Sequence, residues 1–233
     1  MDESEWLKSE NPEQMLAQLQ NRIPWRKQHL LACACVRLVW HHLSDARLRA
    51  LVELSEEFAD GRATVQELVQ AAAPFFEITR VPFEKLLIDP SLAANVAAYV
   101  VGQQHISMHI DRVLKLTQTS AVPCIERGSS DGPGQPDLGA QRVHACRVAD
   151  LLRDIAGNPF QCFSLHSDWL AWDGGIVRRL AETMYEERRY QDLPVLADAL
   201  EEAGCDEPDI LDHLRGRGAH ARGCWALDLA RGV

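Results

Sequence analysis

Residues 25–43 read Trp25-Arg26-Lys27-Gln28-His29-Leu30-Leu31-Ala32-Cys33-Ala34-Cys35-Val36-Arg37-Leu38-Val39-Trp40-His41-His42-Leu43. Leu30, Ala34 and Leu38 form one row at helical spacing, and Leu31, Cys35 and Val39 form the next. Two adjacent rows make a wide apolar stripe, which predicts a core helix. The same punctuation recurs on both sides of it. Asn11-Pro12 places a cap residue before a proline at the first helical position, followed by Met15, Leu16 and Leu19 at helical spacing. Ser44-Asp45 opens a segment carried by Leu48, Leu51, Val52, Leu54 and Phe58 to a stop at Asp60-Gly61. Thr64-Val65-Gln66-Glu67 reads as a capping box.

Farther along, Pro74, Pro82 and Pro90 cut the chain into short pieces. A long Ala- and Val-rich helix is expected to open at Asp89-Pro90-Ser91 and to reach Thr117. Residues 120–139 hold Pro, Gly, Ser and Asp in bulk, which predicts a flexible linker. It would divide an N-terminal helical lobe, 1–119, from a C-terminal one, 140–233, unless the two pack as one domain. Helices are expected over Ala140–Ile155, Ile176–Tyr190, after Asp192-Leu193-Pro194, after Asp206, and over Ala219–Ala230. Phe160–His166 reads as a short extended piece. The fold class expected is mainly α: an irregular multi-helix bundle of short helices.

The chain has 233 residues, 46% hydrophobic and 25% charged, which is ordinary globular composition. Its net charge of -10 argues against nucleic acid as a partner, because phosphates call for a basic face. No apolar run approaches the ~20 residues that span a bilayer, so no membrane partner is expected. The acidic opening Met1-Asp2-Glu3-Ser4-Glu5 does not read as a signal peptide. Seven scattered cysteines without a secretory signal read as reduced thiols, so the expected location is cytoplasmic.

Several segments carry a resemblance to a known family. At the start these are Glu5-Trp6-Leu7, Asn11-Pro12, Met15-Leu16, Arg26-Lys27 and Leu31-Ala32-Cys33-Ala34-Cys35. The closing half is the stronger match, through Leu152-Arg153-Asp154-Ile155, Gly157-Asn158-Pro159-Phe160, Trp169-Leu170-Ala171-Trp172 and Tyr185. It continues through Leu193-Pro194-Val195-Leu196-Ala197-Asp198-Ala199-Leu200, Ala203-Gly204-Cys205, Asp212-His213 and His220-Ala221-Arg222-Gly223-Cys224-Trp225. These segments resemble an uncharacterised protein family common in planctomycete bacteria; the resemblance spans the first quarter and last third of the chain and implies no activity. Where the family commonly has Cys-Cys-Arg-Arg, this chain has Cys35-Val36-Arg37-Leu38, so a role for adjacent cysteines does not carry over.

Four groups could carry chemistry. Cys33 and Cys35 lie ~200° apart around a helix and cannot clasp one ion; Cys35 belongs to the apolar row, while Cys33 shares a row with Arg37 and His41. His105 and His109 have the i, i+4 spacing of a metal pair but lack the glutamate of the metalloprotease pattern. In the C-terminal group, Cys205 and His213 sit at opposite ends of one short helix, ~12 Å apart, which removes Cys205. His213, His220 and Cys224 remain as a two-His, one-Cys zinc site with an open position; the plainer reading makes His213 a helix-end cation and puts Cys224 and Trp225 in the core. Around the same turn, Arg215, Arg217 and Arg222 stand among Gly216, Gly218 and Gly223. That is the chemistry of an anion site, or else of a Gly-rich turn with solvated arginines or pairs to Asp209 and Asp212.

No nucleophile elbow, nucleotide loop or HExxH appears. The leading expectation is therefore a non-enzymatic helical module for protein–protein interaction. Trp169 and Trp172, three apart on one helix face, are its candidate interface residues. No cofactor is expected under this reading. The alternative is a metal- or anion-binding protein, or an enzyme, with its site around His213 to Cys224 and zinc as the ion.

Overall fold

The computed structural model describes residues 1–19, 22–80, 89–102, 110–121 and 137–233. Most of the expected linker, residues 122–136, lies outside them, as do His105 and His109. The described residues form twelve α-helices, three short 3-10 helices and no strand, so the fold is all-α. The chain divides into two compact units. One comprises Met1–Lys8 with Asp150–Val233, and the other Ser9–Ala149.

The Ser9–Ala149 unit is built around helix α3. After α1 (Glu3–Lys8), which belongs to the other unit, come α2 (Pro12–Leu19), α3 (Trp25–Leu38), α4 (Ala46–Ala59), α5 (Val65–Ala72), α6 (Pro90–Val101) and α7 (Ile110–Ala121). Three starts carry the side-chain caps that the sequence announces. Asn11 Oδ1 accepts from the Gln14 N–H at 3.1 Å, Asp45 accepts from the Arg47 N–H, and Thr64 and Glu67 complete a reciprocal capping box. His29 through Val36 are all buried, because α4, α6 and α7 all pack on α3. Both Cys33 and Cys35 are therefore core thiols. The helix expected from Pro90 to Thr117 is instead two, α6 and α7. They pack against each other, which one straight helix cannot do.

The unit of Met1–Lys8 and Asp150–Val233 holds the candidate site. It takes the end of α8 (Leu138–Ala156) and adds α9 (Ser167–Glu186), α10 (Leu193–Glu202), α11 (Pro208–Arg215) and α12 (Trp225–Arg231). Its core joins Val177, Ala181, Met184 and Tyr185 of α9 to Leu193, Leu196, Ala197 and Leu200 of α10. Ile210, Leu211 and Leu214 of α11 and Ala226, Leu227 and Ala230 of α12 complete it. Each set recurs at three- and four-residue spacing, so each helix buries one stripe. Helix α1 is tied in by its buried Trp6, by Arg153 donating to the Trp6 carbonyl at 3.2 Å, and by Asn158 and Gln161 donating to Glu3.

Three local expectations change. Phe160–His166 has no strand and runs as turn and irregular chain. Helix α9 begins at Ser167 but breaks inside. Trp172 is extended (ψ 141°), and Asp173, Gly174 and Gly175 all have positive φ, which two successive glycines permit at little steric cost. The last helix starts at Trp225 rather than Ala219. The chain from Gly216 to Cys224 is an irregular connection that turns at Gly223, where φ is +90°.

Candidate metal centre

The site starts from three helix ends. Asp154 stands in the last turn of α8, beside Leu151, Leu152 and Ile155, which are buried. That helix stops at Gly157, whose φ of +70° is the left-handed turn expected at a helix C-terminus. A Cβ at Gly157 would lie 3.1 Å from Trp225 Cγ, so the α8 terminus and the start of α12 meet closely. His213 stands in the last turn of α11, where a cation is favoured. His220 lies in the connection, and Cys224 is the residue before α12.

These four side chains converge. Asp154 Oδ1 is 2.7 Å from His220 Nδ1 and 3.2 Å from His213 Nε2. His213 Nε2 is 3.2 Å from Cys224 Sγ, which is 3.9 Å from His220 Nδ1. One donor atom from each residue lies within 4.8 Å of all the others. The Ala221 N–H donates to the second oxygen, Asp154 Oδ2, at 2.8 Å and fixes the carboxylate's orientation. The imidazoles of His213 and His220 stand nearly perpendicular, 86° between planes with centroids 5.1 Å apart. Trp225 packs on His213 at 5.0 Å and on Phe163 at 4.6 Å, an apolar wall on the His213 side.

The electrostatics follow from burial against pairing. Burial penalises the Asp154 carboxylate, but hydrogen bonds from His213 and His220, with the charges of those rings, outweigh it and hold the carboxyl below its ordinary range. Burial likewise penalises the His220 imidazolium, and the hydrogen bond and charge of Asp154 outweigh it, so the ring's pKa is raised. The Gly216 carbonyl adds to this, although His220 Nε2 is buried without a bond that meets hydrogen-bond geometry.

The contacts differ from those of a nucleophile–base–carboxylate relay. A histidine in a nucleophile–base–carboxylate relay gives one ring nitrogen to the nucleophile and the other to the carboxylate. Here a single nitrogen, His213 Nε2, faces both Cys224 Sγ and Asp154 Oδ1. Cys224 is also fully buried.

His213, His220 and Cys224, singled out in the sequence, are thus brought together. Asp154 escapes the sequence reading; its signal is an acid on the edge of the Leu151–Leu152–Ile155 stripe. The three arginines do not share one point. Arg215 donates to Asp198 at 2.7 Å and to Glu201 at 2.6 Å, rather than to Asp209 or Asp212. Arg217 is exposed. Arg222, expected to be solvated, is only 5% exposed: its guanidinium lies 4.9 Å over the Tyr185 ring and 3.6 Å from Glu186. Trp169 packs half-buried against the α9–α12 core, and Trp172 sits half-buried at the end of the first segment of α9, just before the chain turns.

Comparison with protein-family models, with curated proteins and with solved structures gives no match. Among the described residues no helix is long and apolar enough to cross a membrane.

Proposed function

We propose that this chain is a metal-binding helical protein with one transition-metal site, formed by Asp154, His213, His220 and Cys224. The observation that carries the reading is the convergence of four lone-pair donors of three chemical kinds within 4.8 Å. Two imidazoles and a thiol select zinc-like ions over calcium or magnesium, which prefer all-oxygen shells. Ligands ~2.0–2.3 Å from a tetrahedral ion stand ~3.3–3.8 Å apart. The neighbouring donors here stand 2.7, 3.2, 3.2 and 3.9 Å apart. The pairs below ~3.3 Å would open and the wider ones, up to 4.8 Å, would close, each by about one ångström or less, to reach that size. Asp154 and Cys224 bring two negative charges, so a divalent ion would form a neutral centre, the form that tolerates burial best.

The test is metal content and titration of the purified full-length protein. One equivalent of zinc should bind. His213→Ala should weaken binding at least ~10-fold, the scale of losing one ligand or its support. Arg217→Ala, on the exposed connection, should leave binding unchanged. Zinc binding by wild type and His213→Ala with equal affinity would overturn the proposal.

A further inference from the structure

We infer that the ion is zinc in a closed, four-coordinate shell made wholly of protein ligands, so that the centre is a cross-link rather than a site of hydrolysis; this rests on the metal-binding reading above. Catalytic zinc keeps three protein ligands and leaves a position for water or substrate, whereas structural zinc has four. The sequence alone offers three ligands and an open position. The fourth place is taken by Asp154, whose Oδ1 faces both histidine nitrogens.

Three further observations support closure. The carboxylate is not free to swing away, because its other oxygen accepts the Ala221 N–H. Asp154 and Cys224 are buried, and the side chains of His220 and His213 are 7% and 21% exposed, so the group is largely shut from solvent and most open at His213. Trp225 packs against that histidine. The ligands also come from three separate segments, which one ion would join: the α8 terminus, the α11 terminus and the Gly216–Cys224 connection. On binding, the Cys224 thiol proton and any imidazolium proton pass to solvent, leaving a thiolate, a carboxylate and two neutral rings around the ion.

Cobalt(II) reports this geometry directly in the full-length protein. The expected result is one cobalt per chain, with the intense visible bands of a tetrahedral ion and a sulfur-to-cobalt charge-transfer band. Adding azide should leave that spectrum unchanged. Cys224→Ser should remove the charge-transfer band, and Asp154→Asn should weaken cobalt binding at least ~10-fold. Weak five- or six-coordinate bands, or a spectrum that shifts with azide, would overturn the closed shell while leaving the metal-binding reading intact. Failure of wild-type protein to take up cobalt or zinc would overturn both. The spectrum and the azide response are read on wild type, so neither depends on a variant that folds.

Discussion

His220 Nδ1 and Asp154 Oδ1 are 66 residues apart in the chain and 2.7 Å apart in space. The contact ties the connection after α11 to the end of α8, and it gives the metal-free protein a pH signature. The folded Asp154 carboxyl is held below its ordinary value of 3.8, so its stabilisation is present above that value and is lost as pH falls through the depressed one. The folded His220 ring is raised above its ordinary 6.5, so its stabilisation is complete below 6.5 and is lost as pH rises through the raised value. Both are whole only between 3.8 and 6.5. Across the same window the buried, neutral His29 and His144, whose pKa values burial lowers to about 4, work the other way, so the pair's share is read as the melting difference between wild type and His220→Gln in chelator-treated protein, which should be largest there. That difference should shrink as pH rises above the window. Thermal melts across pH decide it: a difference that does not shrink would remove His220 as its source.

Gly157 and Trp225 make a second pair. Gly157→Ala places a side chain at positive φ, which costs ~1–3 kcal/mol, and pushes its Cβ to 3.1 Å from the indole. Trp225→Ala removes a half-buried ring packed between Phe163 and His213 and should cost ~3 kcal/mol, the lower end for large aromatics. The two losses should not add, because the close contact disappears with the indole while the backbone strain remains. A double-mutant cycle from denaturant unfolding measures this, and strict additivity would count against the contact.

What can be read from the sequence and what cannot divides along distance in the chain. The caps at Asp45 and Thr64–Glu67 and the stripe of α3 are local, since each is fixed by residues within a turn or two. The break at Trp172–Gly175 is also local, and the Gly174-Gly175 pair is its signal. Three of the four site residues lie within one twelve-residue stretch, so a spacing argument finds them. Asp154 lies on another helix, and only packing brings it there. Arg222 is misread for the same reason. Its neighbours in sequence are glycine and alanine, which suggest an exposed turn, but its guanidinium rests on Tyr185 of α9.

That placement separates two arginines that look alike in sequence. Arg217 is exposed and should change stability by no more than ~0.5 kcal/mol on truncation to alanine. Arg222 is buried over an aromatic face and beside a carboxylate, so Arg222→Ala loses packing as well as charge. It should cost ~1–3 kcal/mol. The double variant should unfold as Arg222→Ala does alone. Equal effects of the two single substitutions on the denaturation midpoint would contradict the burial of Arg222.

Thiol reactivity tests the core at α3. A cysteine reacts as its thiolate and only when a reagent reaches it. Cys162 is exposed and Cys146 partly so, while Cys33, Cys35, Cys205 and Cys224 are buried. Burial also pushes the Cys35 thiol up to about 12, so at neutral pH it lacks both access and charge. Timed iodoacetamide labelling with peptide mass spectrometry should show Cys162 modified first among the six cysteines of the described residues. Cys35 should follow more than ~100-fold later, because it waits for an opening that costs several kcal/mol. Adding denaturant below the midpoint should accelerate Cys35 and leave Cys162 nearly unchanged. Comparable labelling rates for the two in native buffer would mean that residues 25–38 are not the buried centre of their unit.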